Sequence, residues 1–582
     1  MGLAYTVDSP IKVARFGISS VISIVEDRLI EMMRSHYYQT ANLPYTPIAV
    51  HEEDYRAKRI ADYLNLVNTI VQEQVEKLKT AAFEKGSEII KYFEMLPDDS
   101  KLKQLYRQMM KMHDQPAKKL LETYLRSKIV PGTIDVNIMT KVDRETFNKE
   151  GVLVEDGSDA VAALRGFVKS NLSNSSVIFS AGMNPRLYNY LEHCKELDAN
   201  EEGVFTKKVV VKVSDYRSAL IQGKYLAKKG IWVSEFRIES GLNCGGHAFA
   251  TEGYLLGPIL EEFRTKKEEL TNSLFEIFNA AQQKKNNRSF ATAPAIVYSV
   301  QGGIGTHEED EFLHTQYGIE STGWGTPFLL VPEATTVDDE TMQLLCAAKE
   351  KDVVLSGNSP LGVRFHYLKG TSSAKEKAAR ISNGNPGSPC TEKHLSFNTE
   401  FTKEPICTAS KKYQKLKLEQ LQSLELPKQE YEKQVQEVLD KECLCVGLSN
   451  SAAINYEQVF VKKLEAVTIC PGPNIANFSK VVSLQTMTDH IYGRENIMEN
   501  NNRPHMFIAE LNLYMNYLRE QLADKAAIEQ DAKKKKYITS FCNNLREGIQ
   551  YYRNLTGVAM SGREEFDAAL QKTEMELNGL MC

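Results

Sequence analysis

The segment GLNCGGHAF, from Gly241 to Phe249, combines a histidine with glycines directly after a strand-like run ending in RIES. In an α/β barrel the carboxyl end of each strand faces the active site, so we expect this segment at the site mouth. Gly245 and Gly246 let the backbone approach a ligand closely because neither carries a Cβ atom. His247 has an ordinary pKa of about 6.5 and can accept a proton at neutral pH. We therefore interpret His247 as a proton-handling catalytic residue; the alternative is a structural histidine beside a tight turn.

Two later strand-like runs also end in glycine. SVQGGIGTHEED carries Gly302 and Gly303, and STGWGTPF carries Gly325 and Thr326. Thr306 can cap the helix after the first run, and bare backbone N–H groups beside a helix start form an anion site. Barrels that bind phosphate often use two adjacent late loops for this purpose. Together the two runs predict a phosphate-bearing cofactor, although each alone is typical of a glycine turn between strand and helix.

Five of the ten cysteines lie within 81 residues, each near glycine, proline or polar turn residues. They are Cys390, Cys407, Cys443, Cys445 and Cys470. Thiolates in loops suit zinc or an iron–sulfur cluster. The spacing is irregular and contains no CxxC pair, so a set of unlinked cysteines is the alternative. These residues raise the hypothesis of a metal site, with iron–sulfur and zinc both open.

Alternating strand-like and helix-like segments from residue 130 to about 345 would position these motifs. Near-continuous β-branched runs are typical of strands buried on both faces, and strand–helix alternation predicts a parallel α/β architecture. An earlier run at 11–25 is rich in Val and Ile and predicts one strand or two. The later strand candidates are DVNIMTK (135–141), SVIFSAGM (176–183), KKVVVKVS (207–214), VSEFRIES (233–240), AIVYSVQGG (295–303) and GIESTGWGT (318–326).

The remaining segments are predicted to be additions to this α/β core. Residues 51–130 have helical periodicity, many Lys and Glu, and no strand-like run, which predicts a helical insertion after the first strand. Residues 371–428 are rich in Lys, Ser, Pro and Gly and predict an irregular connection. We therefore expect a parallel α/β domain, either a barrel or an open sheet, over 1–380, and a cysteine-containing linker with a mostly helical C-terminal extension over 381–582.

The composition is that of an ordinary globular protein, with 42% apolar residues, 25% charged residues and a formal net charge of −5. This balance argues against nucleic acid or an anionic membrane as a partner. Apolar runs are far shorter than the about 20 residues of a membrane span, and no secretory signal is visible. Ten cysteines in 582 residues are not a disulfide framework. We expect a cytoplasmic protein that acts on a small molecule, and the long helical additions suggest a homodimer.

Taken in this order, the segments resemble the nitronate monooxygenases, formerly called 2-nitropropane dioxygenases. IESGLNCGGHAF resembles their Gly-Gly-His segment, SVQGGIGTHEED their next strand end, and IESTGWGTPFLLVPE their Gly-Thr strand. KVSD (212–215) and VNIMTK (136–141) are similar to their basic and Asn-bearing strand ends, and SGNSPLGVRFHYLKG (356–370) to the segment after the barrel. Flavin enoyl reductases of fatty acid synthesis, and the flavin subunit of polyunsaturated fatty acid synthases, share these strand ends.

This resemblance, which covers residues 11–370, implies a (β/α)8 TIM barrel that holds FMN. It also implies that 318–326 closes the barrel and that VVLSGN (352–357) lies outside it. Cys244 departs from the family pattern, in which a small or acidic residue precedes Gly-Gly-His. The implied roles are phosphate binding by Gly302, Gly303, Gly325 and Thr326, contact with the ring and ribityl chain by Asn137 and Lys212, a cofactor wall of Glu239, Gly245 and Gly246, and proton handling by His247.

The expected activity is that of an FMN-dependent oxidoreductase of nitronate monooxygenase type. FMN would supply the redox chemistry, and His247 would handle a proton over the flavin. Two alternatives stay open: an NAD(P)H-dependent flavin enoyl reductase acting on fatty-acid or polyketide thioesters, and a non-catalytic barrel scaffold. The helical insertion and the last 210 residues have no counterpart in the short enzymes, so the substrate cannot be carried over.

Overall fold

Seven parallel strands, hydrogen-bonded in the order in which they occur along the chain, form the sheet at the centre of the protein. The computed structural model describes every residue except 1–3, 25–26, 140–142, 149, 181, 246–251, 287, 462–463, 501, 524–530, 556–561 and 581–582. The six strand candidates between 135 and 326 are confirmed, with shorter bounds. The strands are β1 (Ser20–Ile24), β2 (Ile134–Ile138), β3 (Ser175–Phe179), β4 (Lys207–Val213), β5 (Val233–Glu239), β6 (Val297–Gln301) and β7 (Ser321–Gly323).

The Val- and Ile-rich run at 11–25 supplies one strand, β1, preceded by a short helix, α1 (Ser9–Val13). The predicted insertion after β1 is helical, as expected. A Cβ atom on Gly166 would lie 2.7 Å from Ile60, so the insertion packs directly on the helix that follows β2. The helices after β1 are α2 (Asp27–Thr40), α3 (Tyr55–Thr80), α4 (Glu88–Glu94), α5 (Lys101–Lys111) and α6 (Gln115–Ser127), followed by α7 (Asp159–Lys169) after β2.

Helices also make the later crossovers, and they cover one face of the sheet. Phe236 on β5 packs against Tyr298 on β6, and Tyr298 in turn contacts Phe263 on the helix between these strands. Because side chains alternate along a strand, the neighbours of Phe236 and Tyr298 point to the opposite face. The crossover helices are α8 (Pro185–Tyr190), α9 (Tyr216–Lys228), α10 (Leu256–Asn286) and α11 (His307–Tyr317), and α12 (Asp339–Ala347) follows β7.

The sheet curls but is not a complete eight-stranded barrel, so the predicted (β/α)8 closure is not confirmed. In the described residues, β7 pairs with β6 and has no pairing with β1. The next strand, β8 (Val353–Ser356), instead pairs antiparallel with β9 (Phe365–Leu368), which places 352–357 outside the sheet as expected. After β7 the chain contacts the N-terminus without strand geometry, where the Thr336 N–H donates to the Tyr5 carbonyl at 3.0 Å.

The C-terminal part is mostly helical. The irregular connection predicted over 371–428 is wrong at both ends, because Ser372–Ser382 and Lys411–Ser423 form helices and only the stretch between them is irregular. Leu511, Tyr514 and Leu545 of the C-terminal part belong to the same continuous hydrophobic core as Leu256 and Leu260 of α10. Within the described residues, no helix has both the length and the apolar character that crossing a membrane requires. The helices are α13 (Ser372–Ser382), α14 (Lys411–Ser423), α15 (Lys428–Asp440), α16 (Leu444–Gly447), α17 (Asn450–Asn455), α18 (Leu484–Ile491), α19 (Met506–Leu522), α20 (Ala532–Asn554) and α21 (Arg563–Gly579).

Candidate functional site

The carboxyl ends of β4, β5 and β6 bring four polar side chains together on the face opposite the crossover helices. Lys212 Nζ lies 3.1 Å from Glu239 Oε1, and the Glu239 side chain is only 8% exposed. The same oxygen accepts hydrogen bonds from Asn243 Nδ2 and Gln301 Nε2, both at 2.7 Å. A buried carboxylate needs such donors to offset its lost hydration. Lys212 and Glu239 were predicted site residues, whereas Asn243 and Gln301 lie within the GLNCGGHAF and SVQGGIGTHEED segments but were not predicted to act in the site.

Asn137, the predicted residue on β2, lies along the same edge of the sheet. It pairs in register with Ser23 on β1 and Ile178 on β3 and is half-buried. Its amide makes no hydrogen bond to any residue that the structure describes. An amide without a described partner near a strand end is available to a ligand, and the cofactor contact of Asn137 stays a prediction.

A second polar layer lies deeper between the strands. Glu235 on β5 forms an ion pair with Arg237 at 2.8 Å and accepts a hydrogen bond from the Ser299 hydroxyl at 2.5 Å. Burial raises the pKa of Asp135 on β2, while Arg237 acts in the opposite direction. The inside of a packed barrel is usually filled by branched apolar residues. These charged and polar groups pair with one another, so this layer of the inner face is polar where a packed barrel is usually apolar.

The predicted phosphate loop after β6 has a backbone that depends on glycine. Gly302 and Gly303 have φ values of +102° and +83°, which L side chains rarely adopt. Gly303 and Ile304 are buried residues, and their N–H groups donate to no described residue. Buried backbone N–H groups are nearly always paired. The loop therefore presents two donors to an acceptor from outside the described chain, as a site for an anion would.

The loop after β7 lies beside this first loop, because Gly323 pairs in register with Gln301. The N–H groups of Gly325 and Thr326 also donate to no described residue. The Thr326 hydroxyl, by contrast, donates to the Pro471 carbonyl at 2.7 Å. The hydroxyl of Thr326 is therefore engaged while its backbone N–H is available, and phosphate binding by Thr326 stays a prediction.

Side chains of the C-terminal extension hold the carbonyl groups of the first loop. Arg503 donates to Gly303 O at 2.7 Å, Asn474 Nδ2 donates to Ile304 O at 2.9 Å, and His490 Nε2 donates to Gly305 O at 2.9 Å. Arg503 is itself fixed by Glu309 at the start of α11, with contacts of 2.7 and 2.9 Å. The extension thus occupies these three acceptors of the loop, while the Gly303 and Ile304 N–H groups have no described acceptor. No sequence motif indicated this role.

The Gly-Gly-His segment is described only in part, since Gly246 and His247 lie outside the described residues. Gly245 has a φ of +69°, and its N–H donates to Cys470 O at 3.1 Å. The role of His247 therefore stays a prediction.

Both ends of this segment are fixed by one buried carboxyl group of the C-terminal extension. Glu510 on α19 accepts hydrogen bonds from the N–H groups of Gly241 and Leu256, at 2.8 and 2.7 Å. Burial raises the pKa of Glu510 to about 7, although both N–H groups favour the ionised form. Glu510 therefore gains or loses its charge near neutral pH while it holds the loop that carries His247.

Glu510 should make stability depend on pH. Because its folded pKa exceeds the ordinary 4.5, its contribution to stability is complete below pH 4.5 and is lost as pH rises through about 7. The loss corresponds to about 3 kcal/mol at about 1.4 kcal/mol per pKa unit. We expect the difference in unfolding free energy between the wild type and Glu510→Gln to fall by about this amount from pH 5 to pH 8. A difference that stays constant in urea unfolding over this range would contradict the assignment.

Four of the five predicted metal-site cysteines line one cavity, and the fifth does not. Cys390, Cys407, Cys443 and Cys445 surround this cavity. Cys470 instead lies beside Gly245, at the glycine-bearing edge of the sheet. Cys244 is buried there too, 3.1 Å from where a Cβ atom on Gly472 would stand. The structure therefore separates the cysteines into a group of four and a pair near the glycine loops.

No protein-family model and no curated protein matches this chain. A solved structure with partial similarity is the enoyl reductase domain of MlnA from the macrolactin biosynthesis cluster of Bacillus amyloliquefaciens. Its identity is 13%, its TM-score is 0.32, and the match covers 75% of this chain and 87% of that chain. Similarity of this size carries no conclusion about fold or activity. The resemblance to nitronate monooxygenases stays a prediction, and the site has to be judged by its own geometry.

Proposed function

We propose that this protein is an FMN-dependent oxidoreductase whose cofactor phosphate is bound by the loops after β6 and β7. The observation that carries the proposal is the set of N–H groups without a described acceptor on these adjacent loops, two of them on the buried residues Gly303 and Ile304, beside a polar strand-end network. A phosphate with several oxygen acceptors would satisfy all of these donors at once. The resemblance of the same segments to FMN-binding enzymes supports the choice of cofactor.

Described residues could hold FMN at two places, one for its phosphate and one for its ring system. The N–H groups of Gly303, Ile304, Gly325 and Thr326 would hold the phosphate. Asn137 would offer its amide, and Lys212 a positive charge, to the ring system. Bound FMN supplies the redox chemistry, while the protein supplies binding, orientation and electrostatics. His247, if it lies where the resemblance implies, would move the substrate proton.

Riboflavin, which lacks the phosphate, provides the direct test. Hydrogen bonds from N–H groups to a charged acceptor contribute about 1.5–3 kcal/mol each, so two or more are worth at least about 100-fold in affinity. We expect the full-length apoprotein to bind FMN at least about 100-fold more tightly than riboflavin, measured by quenching of flavin fluorescence. Equal affinity for the two flavins, or no binding of FMN, would contradict the proposed site.

Substitutions at two lysines on the same face of β4 show whether Lys212 contacts the flavin ring or whether any lost positive charge weakens FMN binding. Lys212→Met removes the cation beside Glu239, and we expect FMN affinity to fall by about 10-fold or more. Lys208 lies four residues earlier on β4, is half-buried, and contacts Asn174 at 3.2 Å. Lys208→Met should therefore leave FMN affinity unchanged. Equal effects of the two substitutions would place the ring elsewhere.

The reductant that bleaches the bound flavin under anaerobic conditions identifies the reaction class. Bleaching by an alkyl nitronate alone would identify nitronate oxidation. Bleaching by NAD(P)H would identify a flavin reductase, to be assayed next with enoyl thioesters. Protein that folds but never takes up flavin would favour the non-catalytic scaffold.

A further inference from the structure

An exposed β-hairpin follows β2 over residues 145–156, and we call it the hairpin arm. Phe147 pairs with Leu153 in an antiparallel bridge, and the Val154 N–H donates to Thr146 O at 2.8 Å. Apart from Thr146, every described residue of the arm is exposed. A two-stranded hairpin is at best marginally stable in water unless it packs against a helix or further strands. The arm therefore has a defined backbone, yet no described residue of its own chain covers it.

The side chains of the hairpin arm are largely apolar. Phe147, Val152 and Leu153 are between 51% and 59% exposed. Phe147 and Leu153 are directly opposite each other in the bridge, so they point to one face of the arm, and Val152 points to the other. Single exposed apolar residues are ordinary on protein surfaces, but a contiguous group of them marks an association site. The arm therefore has the surface of a segment that another molecule covers.

The base of the hairpin arm is held by the N-terminal end of α3. The buried Arg56 side chain donates to Gly157 O at 3.4 Å and also contacts the Thr146 hydroxyl, which itself donates to Gly157 O at 2.5 Å. Arg56 in turn pairs with Asp159 at the start of α7, at 3.1 Å. An arm fixed in this way loses little conformational freedom when it binds, which favours association.

A second exposed apolar patch lies on the outer face of α6. Leu120 is 74% exposed, and Tyr124, one helical turn later, is exposed as well. Lys128 Nζ lies 5.2 Å from the centre of the Tyr124 ring. The inner side of α6 is attached to the C-terminal end of α3, where Arg126 donates to Ala81 O at 2.6 Å. This helix thus presents an apolar pair with a cation beside it.

Charged residues surround the two patches, and they are of opposite sign. Within 145–156 the arm has four acidic residues and one lysine, whereas 115–128, which covers α6 and Lys128, has four basic residues and one glutamate. Opposite charges around an apolar centre favour a correctly oriented encounter, so the two patches are complementary. Two arms, or two α6 helices, would instead bring like charges together. Five of these charged residues form no ion pair with any described residue: Glu150, Glu155, Asp156, Lys118 and Lys119.

Helix α3 sets the distance between the two patches. The arm is bonded to Arg56 near the first residue of α3, and α6 is bonded to Ala81 directly after its last, so they are about 35–40 Å apart along the helix. Strands of three residues span about 10 Å, so the arm does not reach α6 of its own chain. Two copies whose α3 helices run antiparallel about a two-fold axis place each arm on α6 of the other copy.

We propose that the hairpin arm of one chain docks on α6 of a second copy, and that a two-fold axis repeats this contact to form a homodimer. A closed dimer uses both patches of both copies, so no exposed arm is left to bind further molecules. An anionic membrane is a poorer occupant, because it would attract α6 but repel the acidic arm. The inference does not depend on flavin binding.

Sedimentation velocity of the full-length wild type tests the association. We expect a dimer, with twice the mass of the chain, at about 10 μM protein. A monomer at all concentrations up to about 50 μM, or an open series of larger species, would overturn the proposal. A monomer that sediments with vesicles of phosphatidylcholine and phosphatidylserine would assign α6 to a membrane and overturn it as well. FMN titration of the same sample is a separate measurement, so failure here is distinct from failure of the proposed function.

Single substitutions then locate the contact. Phe147→Ser and Leu120→Ser each remove one apolar side chain, and each should raise the Kd of the dimer by about 100-fold or more, because the two-fold axis repeats every contact. Val459→Ser is the matched control, since Val459 is 79% exposed but lies outside both patches, and it should leave the Kd unchanged. Far-UV circular dichroism identifies any variant that fails to fold. An unchanged Kd in folded Phe147→Ser or Leu120→Ser would refute the contact.

Exchange of charges tests whether the contact is reciprocal. Glu150→Lys/Glu155→Lys makes the arm basic, and Lys118→Glu/Lys119→Glu makes α6 acidic, so each variant alone should dimerise at least about 10-fold more weakly than the wild type. Mixed in equal amounts, the two variants should form a heterodimer, because each arm then meets an α6 of opposite charge. Variants that stay monomeric when mixed would refute the reciprocal contact.

Discussion

Replacing Arg503 by methionine is expected to lower the free energy of unfolding by about 3–5 kcal/mol at neutral pH. The Arg503 and Glu309 side chains are 6% and 4% exposed and are joined by two short contacts. Removing the cation leaves a carboxylate buried without its partner, and the cost of such a charge exceeds the value of the lost contacts. Arg503 also donates to Gly303 O, so the variant should bind FMN more weakly.

A second arginine of the extension provides the matched control. Arg519 pairs with both carboxylate oxygens of Glu576, at 2.5 and 2.6 Å, but the two side chains are 45% and 33% exposed. Water screens this pair, so Arg519→Met should cost no more than about 1 kcal/mol in urea unfolding. Similar losses for the two variants would show that burial does not determine the effect at Arg503.

The Arg503 effect should also depend on pH. Burial, the largest single effect, would raise the pKa of Glu309, but Arg503, His505 and the Gly305 N–H together outweigh it and the pKa is lowered. The pair therefore contributes stability above the ordinary pKa of a glutamate, and this contribution is lost as pH falls through the lowered pKa. The deficit of Arg503→Met should become smaller in acid. Adding Glu309→Gln should recover part of the loss at neutral pH, because no buried charge then remains.

The sheet was predictable from sequence because its signal is local. KKVVVKV on β4 carries its β-branched residues and its site lysine within seven residues. The seven strands follow the chain order, so each strand end leads directly to the next. The missing closure was not predictable, since no local pattern shows whether β7 pairs with β1. VVLS was expected outside the barrel, but its antiparallel pairing with β9 depends on tertiary contacts and was not predicted.

The residues of the C-terminal extension that hold the site loops could not be predicted from sequence, because these contacts too are decided by the tertiary fold. Arg503 is 200 positions from the Gly303 carbonyl that it binds, and Glu510 is 269 positions from Gly241. No periodicity or motif links residues so far apart. The cysteines show the opposite problem. Cys470 was grouped with four other cysteines because it is near them in sequence, but in the fold it lies apart from them. The sequence indicated which side chains could do chemistry but not which of them meet.

Gly303→Ala is expected to lower the free energy of unfolding by about 2–5 kcal/mol. The first part is conformational, about 1–2 kcal/mol for an L side chain at positive φ. The second part is steric, because a Cβ atom at Gly303 would lie 2.5 Å from Leu242 Cδ1. Overpacking of a well-packed site typically costs about 1–3 kcal/mol. The loop would have to move, so FMN affinity should fall together with stability.

Gly318 separates these two contributions. It has a φ of +64°, but a Cβ atom there would meet nothing within 4 Å. Gly318→Ala should therefore show only the conformational cost, about 1–2 kcal/mol, and leave FMN binding unchanged. Combining Gly303→Ala with Leu242→Ala should cost less than the sum of the two single effects by about 1–3 kcal/mol, because the smaller side chain makes room for the new methyl group. Strictly additive effects of the two substitutions would mean that Leu242 does not restrict the loop after β6. The close approach of the segments after β5 and β6 would then need another cause.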